Sequence, residues 1–179
     1  MRKMRELTVV FSVEEIAVRV KEMAAEINAC YKNEPLVMVC VLKGAFMFFA
    51  DLVKHITVQP ELDFVRLSSY GMHSKSEAVI TFSKDVDISL KDKHVLLVED
   101  IIDTGLTMDF LIRQFRARGA KSLRLAAMID KYERRTVDVR ADFVGFPMQE
   151  GFIVGYGLDY AEQYRELPAI YKVTLDENV

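Results

Sequence analysis

At 179 residues and a formal net charge of -3, the chain has the length of one domain able to bury a core of ordinary size. Its 51% hydrophobic and 28% charged residues are the balance of a soluble globular protein. The acidic surplus argues against a general binder of nucleic acid or anionic membrane, because either needs a basic surface.

Ser12 and Glu15 make a capping-box pattern, and Ile16, Val20, Met23 and Ile27 continue at helical spacing, which predicts a helix to about Tyr31. Pro35 prevents its extension. Leu36–Leu42 is wholly apolar and reads as a buried strand, Lys43-Gly44 as a turn, and 45–55 as a helix apolar nearly all round. A helix of that kind is buried or pairs with a second subunit. A strand is expected at 64–67, a polar loop at 68–77 and a short returning strand at 79–82. A further buried strand at 95–98 runs into Glu99-Asp100-Ile101-Ile102-Asp103-Thr104-Gly105-Leu106-Thr107. The helix that follows has Met108, Leu111, Ile112 and Phe115 on one face and Gly119 as its stop. The next strand is 123–129.

Strands alternating with helices predict an α/β fold with a doubly wound, mainly parallel sheet. Beyond it come short apolar pieces at 143–147 and 152–154, a brief helical segment at 160–167 and a last strand at 171–175, together expected to cap the sheet's carboxyl edge. No repeat, low-complexity tract or linker interrupts the chain, so 1–179 reads as one domain. Neither a signal-peptide core nor an apolar run of membrane length occurs, and cytoplasmic residence is expected. Cys30 and Cys40 lie in apolar contexts and are expected as free, buried thiols.

Ligands of open α/β sheets bind beyond the carboxyl ends of the strands. Lys43-Gly44, Glu99 to Thr107, and Asp130-Lys131 all fall at such ends. Backbone N–H groups around Thr104, Gly105, Leu106 and Thr107, at a helix's positive end, suit a phosphate. Glu99 and Asp100 at the strand tip can grip hydroxyls or a metal. Thr104 or Asp103 acting as a plain helix cap is the simpler account. Three acids, two threonines and a glycine within nine residues exceed what one cap requires and match a ribose phosphate. No P-loop or dinucleotide glycine motif occurs, and His55, His73 and His94 are scattered.

This motif resembles the phosphoribosyl-pyrophosphate signature of type I phosphoribosyltransferases, and its 99–105 form resembles the hypoxanthine-guanine branch, bacterial members above all. Leu42-Lys43-Gly44, Ser69-Tyr70-Gly71, Asp130-Lys131, Asp142-Phe143-Val144-Gly145-Phe146 and Phe152-Ile153-Val154-Gly155-Tyr156-Gly157-Leu158-Asp159-Tyr160 fall in that family's order. The likeness spans about 36–165. It implies a core at about 36–135, a small hood from the N-terminal segment and about 140–179, and a mobile lid at about 69–82 headed by Ser69 and Tyr70, which would exclude water.

The implied reaction moves the 5-phosphoribosyl group of phosphoribosyl pyrophosphate to N9 of hypoxanthine or guanine, with Mg2+, giving IMP or GMP and pyrophosphate. By the same resemblance Asp103 is the general acid/base facing purine N7, and Glu99 and Asp100 hold the ribose hydroxyls directly or through magnesium. Asp103, Thr104, Gly105, Leu106 and Thr107 bind the 5-phosphate, Leu106 standing where mammalian members have lysine. Lys131 donates to the purine 6-oxo group; offering donors only, it disfavours adenine. Phe152 stacks on the base and the Ile153 backbone meets its Watson-Crick edge. Asp159 is the magnesium ligand on the pyrophosphate side, where Lys43, Gly44 and Arg165 bind pyrophosphate and a non-proline cis peptide precedes Lys43.

The implied partners are phosphoribosyl pyrophosphate and a 6-oxopurine, with no nucleic acid and no membrane. A homodimer or homotetramer is expected, the helix at 45–53 with Phe46, Phe48 and Phe49 being the candidate interface. The rival reading is a regulator that senses phosphoribosyl pyrophosphate and binds nucleic acid; the acidic charge and the co-occurrence of Asp103, Lys131 and Phe152 weigh against it. Xanthine remains a further possible base.

Overall fold

The computed structural model describes residues 4–32, 34–70 and 79–175. In chain order its elements are β1 (Met4–Phe11), α1 (Val13–Tyr31), β2 (Leu36–Leu42), α2 (Phe46–Val53), β3 (Glu61–Tyr70), β4 (Val79–Lys84), β5 (His94–Ile102), α3 (Leu106–Ala117), β6 (Ser122–Lys131), β7 (Phe143–Met148), β8 (Ile153–Val154) and β9 (Ile170–Leu175). The central sheet runs β4-β3-β2-β5-β6-β7. All its pairs are parallel except β3 with β4. A second, antiparallel sheet runs β1-β9-β8 and forms the hood.

The two-residue period of the strands divides their side chains between two cores. Leu36, Met38, Cys40, Leu96, Val98 and Met128 pack on one face with Val20, Met23 and Ile27 of α1 and Phe48 and Leu52 of α2. Val37, Val39, Val41, Val95, Leu97 and Leu125 pack on the other with Met108, Leu111 and Phe115 of α3. A sheet covered on both faces needs apolar residues at every strand position, which is why β2 and the start of β5 are unbroken hydrophobic runs. The capping box of α1 forms as expected: the Glu15 N–H donates to Ser12 Oγ at 3.2 Å, and the Ser12 N–H donates to Glu15 Oε2 at 2.8 Å.

Four local expectations change. First, β5 continues to Ile102, so Glu99 and Asp100, expected at the tip of a strand ending at 98, lie within the strand. Second, β7 pairs in parallel with β6 and extends the central sheet, although its segment was assigned to the hood. Third, 160–167 is not helical: Ala161, Glu162 and Tyr164 have φ of 52°, 64° and 74°, which a right-handed helix cannot contain. The segment instead folds back, with the Tyr156 N–H donating to the Leu167 carbonyl at 2.7 Å and the Gly157 N–H to the Arg165 carbonyl at 3.0 Å. Fourth, β3 runs on through Ser69 and Tyr70 where a loop was expected. The central part of the expected lid, 71–78, lies outside the described residues, as do the Ser69 and Tyr70 side chains.

The hood is locked onto the sheet where the site will form. Tyr156 donates its hydroxyl to Asp51 Oδ2 at 2.9 Å, and Ile153, Leu158 and Ile170 join the α1-side core. At Gly157, with φ 97°, an added Cβ would lie 1.9 Å from the Gly44 carbonyl oxygen, so only glycine allows the two backbones to meet.

Candidate active site

At the carboxyl ends of β2 and β5 a cavity of about 360 Å³ opens beneath the hood. Lys43, Gly44, Glu99, Asp100, Asp103, Thr104, Gly105, Thr107, Asp159 and Arg165 all line it. The chain leaves β2 through a non-proline cis peptide between Leu42 and Lys43. Gly44 then passes so close to β5 that a Cβ there would stand 1.7 Å from Asp100 Oδ2. The glycine therefore makes room for the carboxylate. Asp100 Oδ1 accepts the Ile101 N–H at 2.9 Å, and Glu99 Oε1 accepts the Asp100 N–H at 3.1 Å. Burial, followed by the adjacent Asp100 charge, pushes the Glu99 carboxyl well above the usual carboxylate range.

Between β5 and α3 the chain makes the loop expected to take a phosphate. Gly105 is the N-cap residue of α3, with φ 85° and no side-chain cap bond, and Thr104 Oγ1, one residue earlier, accepts the Leu106 N–H at 3.4 Å. The loop is braced from one side by Arg135. Its Nε donates to the Asp103 carbonyl at 3.1 Å and its Nη2 to the carbonyls of Ile102 at 3.2 Å and Lys131 at 2.8 Å. Nη2 also reaches Asp130 Oδ1 at 2.5 Å, while Nη1 donates to the Val139 carbonyl. The Thr136 N–H and hydroxyl donate to the Thr104 carbonyl at 3.0 and 3.2 Å. Because a trans peptide points its N–H opposite to its carbonyl, these bonds turn the N–H groups of Asp103, Thr104 and Gly105 away from the brace. Gly105 faces it so closely that a Cβ would come within 2.8 Å of Val137 Cγ2.

The charged residues expected to meet substrate are each paired with a neighbour. Asp103 Oδ2 accepts from Arg134 Nη1 at 3.2 Å, whereas Asp103 Oδ1 is buried with no partner among the described residues. Lys131, buried at the end of β6, has Glu133 at 3.8 Å. Arg165 Nη2 lies 2.8 Å from Asp159 Oδ1 and 3.6 Å from Glu162 Oε2, and its Nη1 donates to the Gly157 carbonyl at 2.8 Å. Lys43 Nζ donates to the same Glu162 oxygen at 2.7 Å.

The cavity does not gather every expected residue. Lys131, Phe152, Ile153 and Leu106 are not part of its lining. Phe152 is largely exposed and set edge-on to Tyr160 with ring centroids 5.4 Å apart, and Ile153 is buried in β8 opposite Lys172. Most residues expected at the sugar phosphate and the pyrophosphate thus line one cavity, and those expected to hold the base do not. Arg135 and Glu162 were not anticipated. In the sequence each is one charge within a charged, surface-like run, and the contacts that tie Arg135 to Asp103 and Glu162 to Lys43 span 32 and 119 positions.

Among the described residues no three acidic, histidine or cysteine side chains stand close enough to hold a metal by themselves. Glu99, Asp100 and Asp159 nevertheless line one cavity. Such a set suits a hard cation like magnesium, which usually takes one or two protein carboxylates and fills its remaining positions with water and substrate phosphates.

The chain matches the model of the phosphoribosyl transferase domain over residues 10–161. It is 47% identical to the hypoxanthine-guanine phosphoribosyltransferase of Bacillus subtilis over 162 residues, 90% of each chain. Against the enzyme of the same name from Aquifex aeolicus the identity is 45% over 170 residues, 94% of this chain and 96% of the other. A crystal structure of a hypoxanthine-guanine phosphoribosyltransferase from Bacillus anthracis superimposes with a TM-score of 0.89 at 41% identity, covering 96% of this chain and all (100%) of that one.

Proposed function

The chain belongs to the phosphoribosyltransferase family, and from that premise we propose that it salvages purines by transferring the 5-phosphoribosyl group of phosphoribosyl pyrophosphate to N9 of hypoxanthine and guanine. The observation that carries this reading is the meeting of Glu99 and Asp100, the 103–107 loop, and Lys43, Asp159 and Arg165 around one cavity. These three sets of groups match the three parts of the sugar substrate: its hydroxyls, its 5-phosphate and its pyrophosphate. The regulator reading has no comparable support, since both relatives above carry the name of a transferase.

In this reading the N–H groups of the 103–107 loop and the Thr104 and Thr107 hydroxyls hold the 5-phosphate at the start of α3. Glu99 and Asp100 hold the ribose hydroxyls, and the Asp100 charge favours the positive charge that develops on the sugar. Asp103 accepts the N7 proton of the base as N9 attacks C1. Lys43, Gly44 and Arg165 take the leaving pyrophosphate, Arg165 through its planar fork. Magnesium, held by Asp159 on that side and by Glu99 and Asp100 on the other, would neutralise the leaving oxygens. Lys131, Phe152 and Ile153 receive the base, Lys131 donating to its 6-oxo group. Cytoplasmic residence belongs to the same reading: Cys30 and Cys40 are both free thiols, as suits a reducing compartment.

The test is nucleotide formation from phosphoribosyl pyrophosphate and magnesium with hypoxanthine, guanine, xanthine or adenine offered singly and in competition. Conversion of hypoxanthine and guanine with rejection of adenine is expected. Failure to convert any of the four would overturn the reading.

A further inference from the structure

Glu162 lies three residues beyond Asp159 and touches both cations assigned to pyrophosphate. One of its carboxylate oxygens stands 2.7 Å from Lys43 Nζ and 3.6 Å from Arg165 Nη2. Without an anion between them, two cationic side chains converging on one point would repel each other; Arg165 has Asp159 Oδ1 at 2.8 Å as its nearer partner, so Glu162 is chiefly the partner of Lys43. The Glu162 backbone is fixed: its φ is 64°, and its N–H donates to Asp159 Oδ2 at 2.8 Å. Its side chain is 65% exposed, so it can leave Lys43 for water with little desolvation cost.

We propose that Glu162 is a resident counter-ion of the pyrophosphate subsite, which neutralises Lys43 and shares Arg165 with Asp159 when no substrate is bound, and surrenders Lys43 to pyrophosphate oxygens when it is. The inference rests on the assignment of Lys43 and Arg165 to pyrophosphate. Pyrophosphate wins the exchange because it brings several charges and acceptor oxygens against a single carboxylate. Glu162 then acts as an affinity-setting residue. By opposing the binding of pyrophosphate it lowers the hold on substrate and product alike, and its return to Lys43 favours product departure. The fixed backbone makes that return a side-chain rotation and not a loop rearrangement.

The experiment titrates magnesium pyrophosphate into the full chain by calorimetry, comparing the wild type with Glu162→Gln, Lys43→Ala and the double variant. Glu162→Gln should bind roughly two- to fivefold more tightly, the scale of an exposed ion pair. Lys43→Ala should bind more weakly, and in its background the gain from Glu162→Gln should shrink, which a purely structural role of Glu162 would not produce. Unchanged binding by Glu162→Gln, with Lys43→Ala still weakened, would overturn the inference and leave the subsite assignment standing. Weaker binding by Glu162→Gln would also overturn it and make Glu162 a ligand of the metal-pyrophosphate complex. If Lys43→Ala and Arg165→Ala both left binding unchanged, the subsite assignment would fail and the counter-ion with it.

Discussion

Asp103 has one carboxylate oxygen held by Arg134 and the other buried without a partner among the described residues. An unmet buried acceptor costs about 1–3 kcal/mol, and a residue kept only to start a helix would have no reason to bear that cost, the more so since Gly105 is the cap. An acceptor held open toward a proton donor fits the acid/base role. Asp103→Asn should therefore lower kcat by roughly two to four orders of magnitude while binding of phosphoribosyl pyrophosphate largely survives; steady-state kinetics beside direct titration would check both halves, and an unchanged rate would remove Asp103 from the chemistry. Gly44→Ala tests the neighbouring packing. Its Cβ would displace the Asp100 carboxylate, and KM for the sugar substrate should rise by roughly tenfold or more, on the scale of one lost charged contact. A KM within twofold of wild type would show that Asp100 can shift without consequence. Glu99, Asp100, Asp103 and Thr104 were legible because a contiguous motif carries them. Arg135 and Glu162 were not, because the contacts that bring them to the cavity, with Asp103 and Lys43, span 32 and 119 positions.

Elements differ in how much of themselves they encode. The bounds of β2 were legible because a strand covered on both faces must be apolar throughout, and α1 because its capping box and its helical period agree. The 160–167 segment misled for a physical reason: hydrophobic spacing carries no information about the sign of φ. The place of β7 was hidden because strand pairing in a parallel sheet is decided by a non-local neighbour. Asp63 of β3 illustrates a tie that only the fold discloses. Nearly buried, it accepts backbone N–H bonds from Phe64 and Asp87 at 2.7 Å and from Ile88 at 2.9 Å, anchoring the turn after β4. Burial raises its pKa, but these bonds and the Lys84 charge outweigh it and hold the carboxyl below the usual range. A folded pKa below the unfolded one means stabilisation that is complete above the unfolded value and fades as pH falls through the folded one. Asp63→Asn should thus cost roughly 1–3 kcal/mol at pH 7 and much less near pH 3. Denaturant unfolding at both values would check this, and an equal loss at both would mean that the charge contributes nothing.

For the whole molecule, the expected subunit contact narrows. Phe48 and Phe49 are buried in the chain's own core, which leaves Phe46 as the exposed member of the three. Leu62 and Phe64 of the adjoining β3 are exposed as well, and Phe64 sets its ring edge against Phe49 at 5.6 Å. We propose that this patch joins two copies of the chain, a contact of the isologous kind common in dimers. Sedimentation should give a dimer or tetramer, and Phe46→Glu should shift it toward monomer. A wild type that sediments only as monomer at micromolar concentration would remove the interface.

On the assignments proposed above, residues 131–136 put Lys131, at the end of β6, to the base, while Arg134 holds Asp103 and Arg135 and Thr136 brace the 103–104 turn proposed for the phosphate. A single short segment thereby serves both substrates, and its consequence is evolutionary. A lineage drifting toward a different base by altering this stretch would loosen its grip on the sugar phosphate at the same step. Base preference and sugar affinity would then be coupled through one stretch of chain, and variants that separate them should need compensating changes elsewhere.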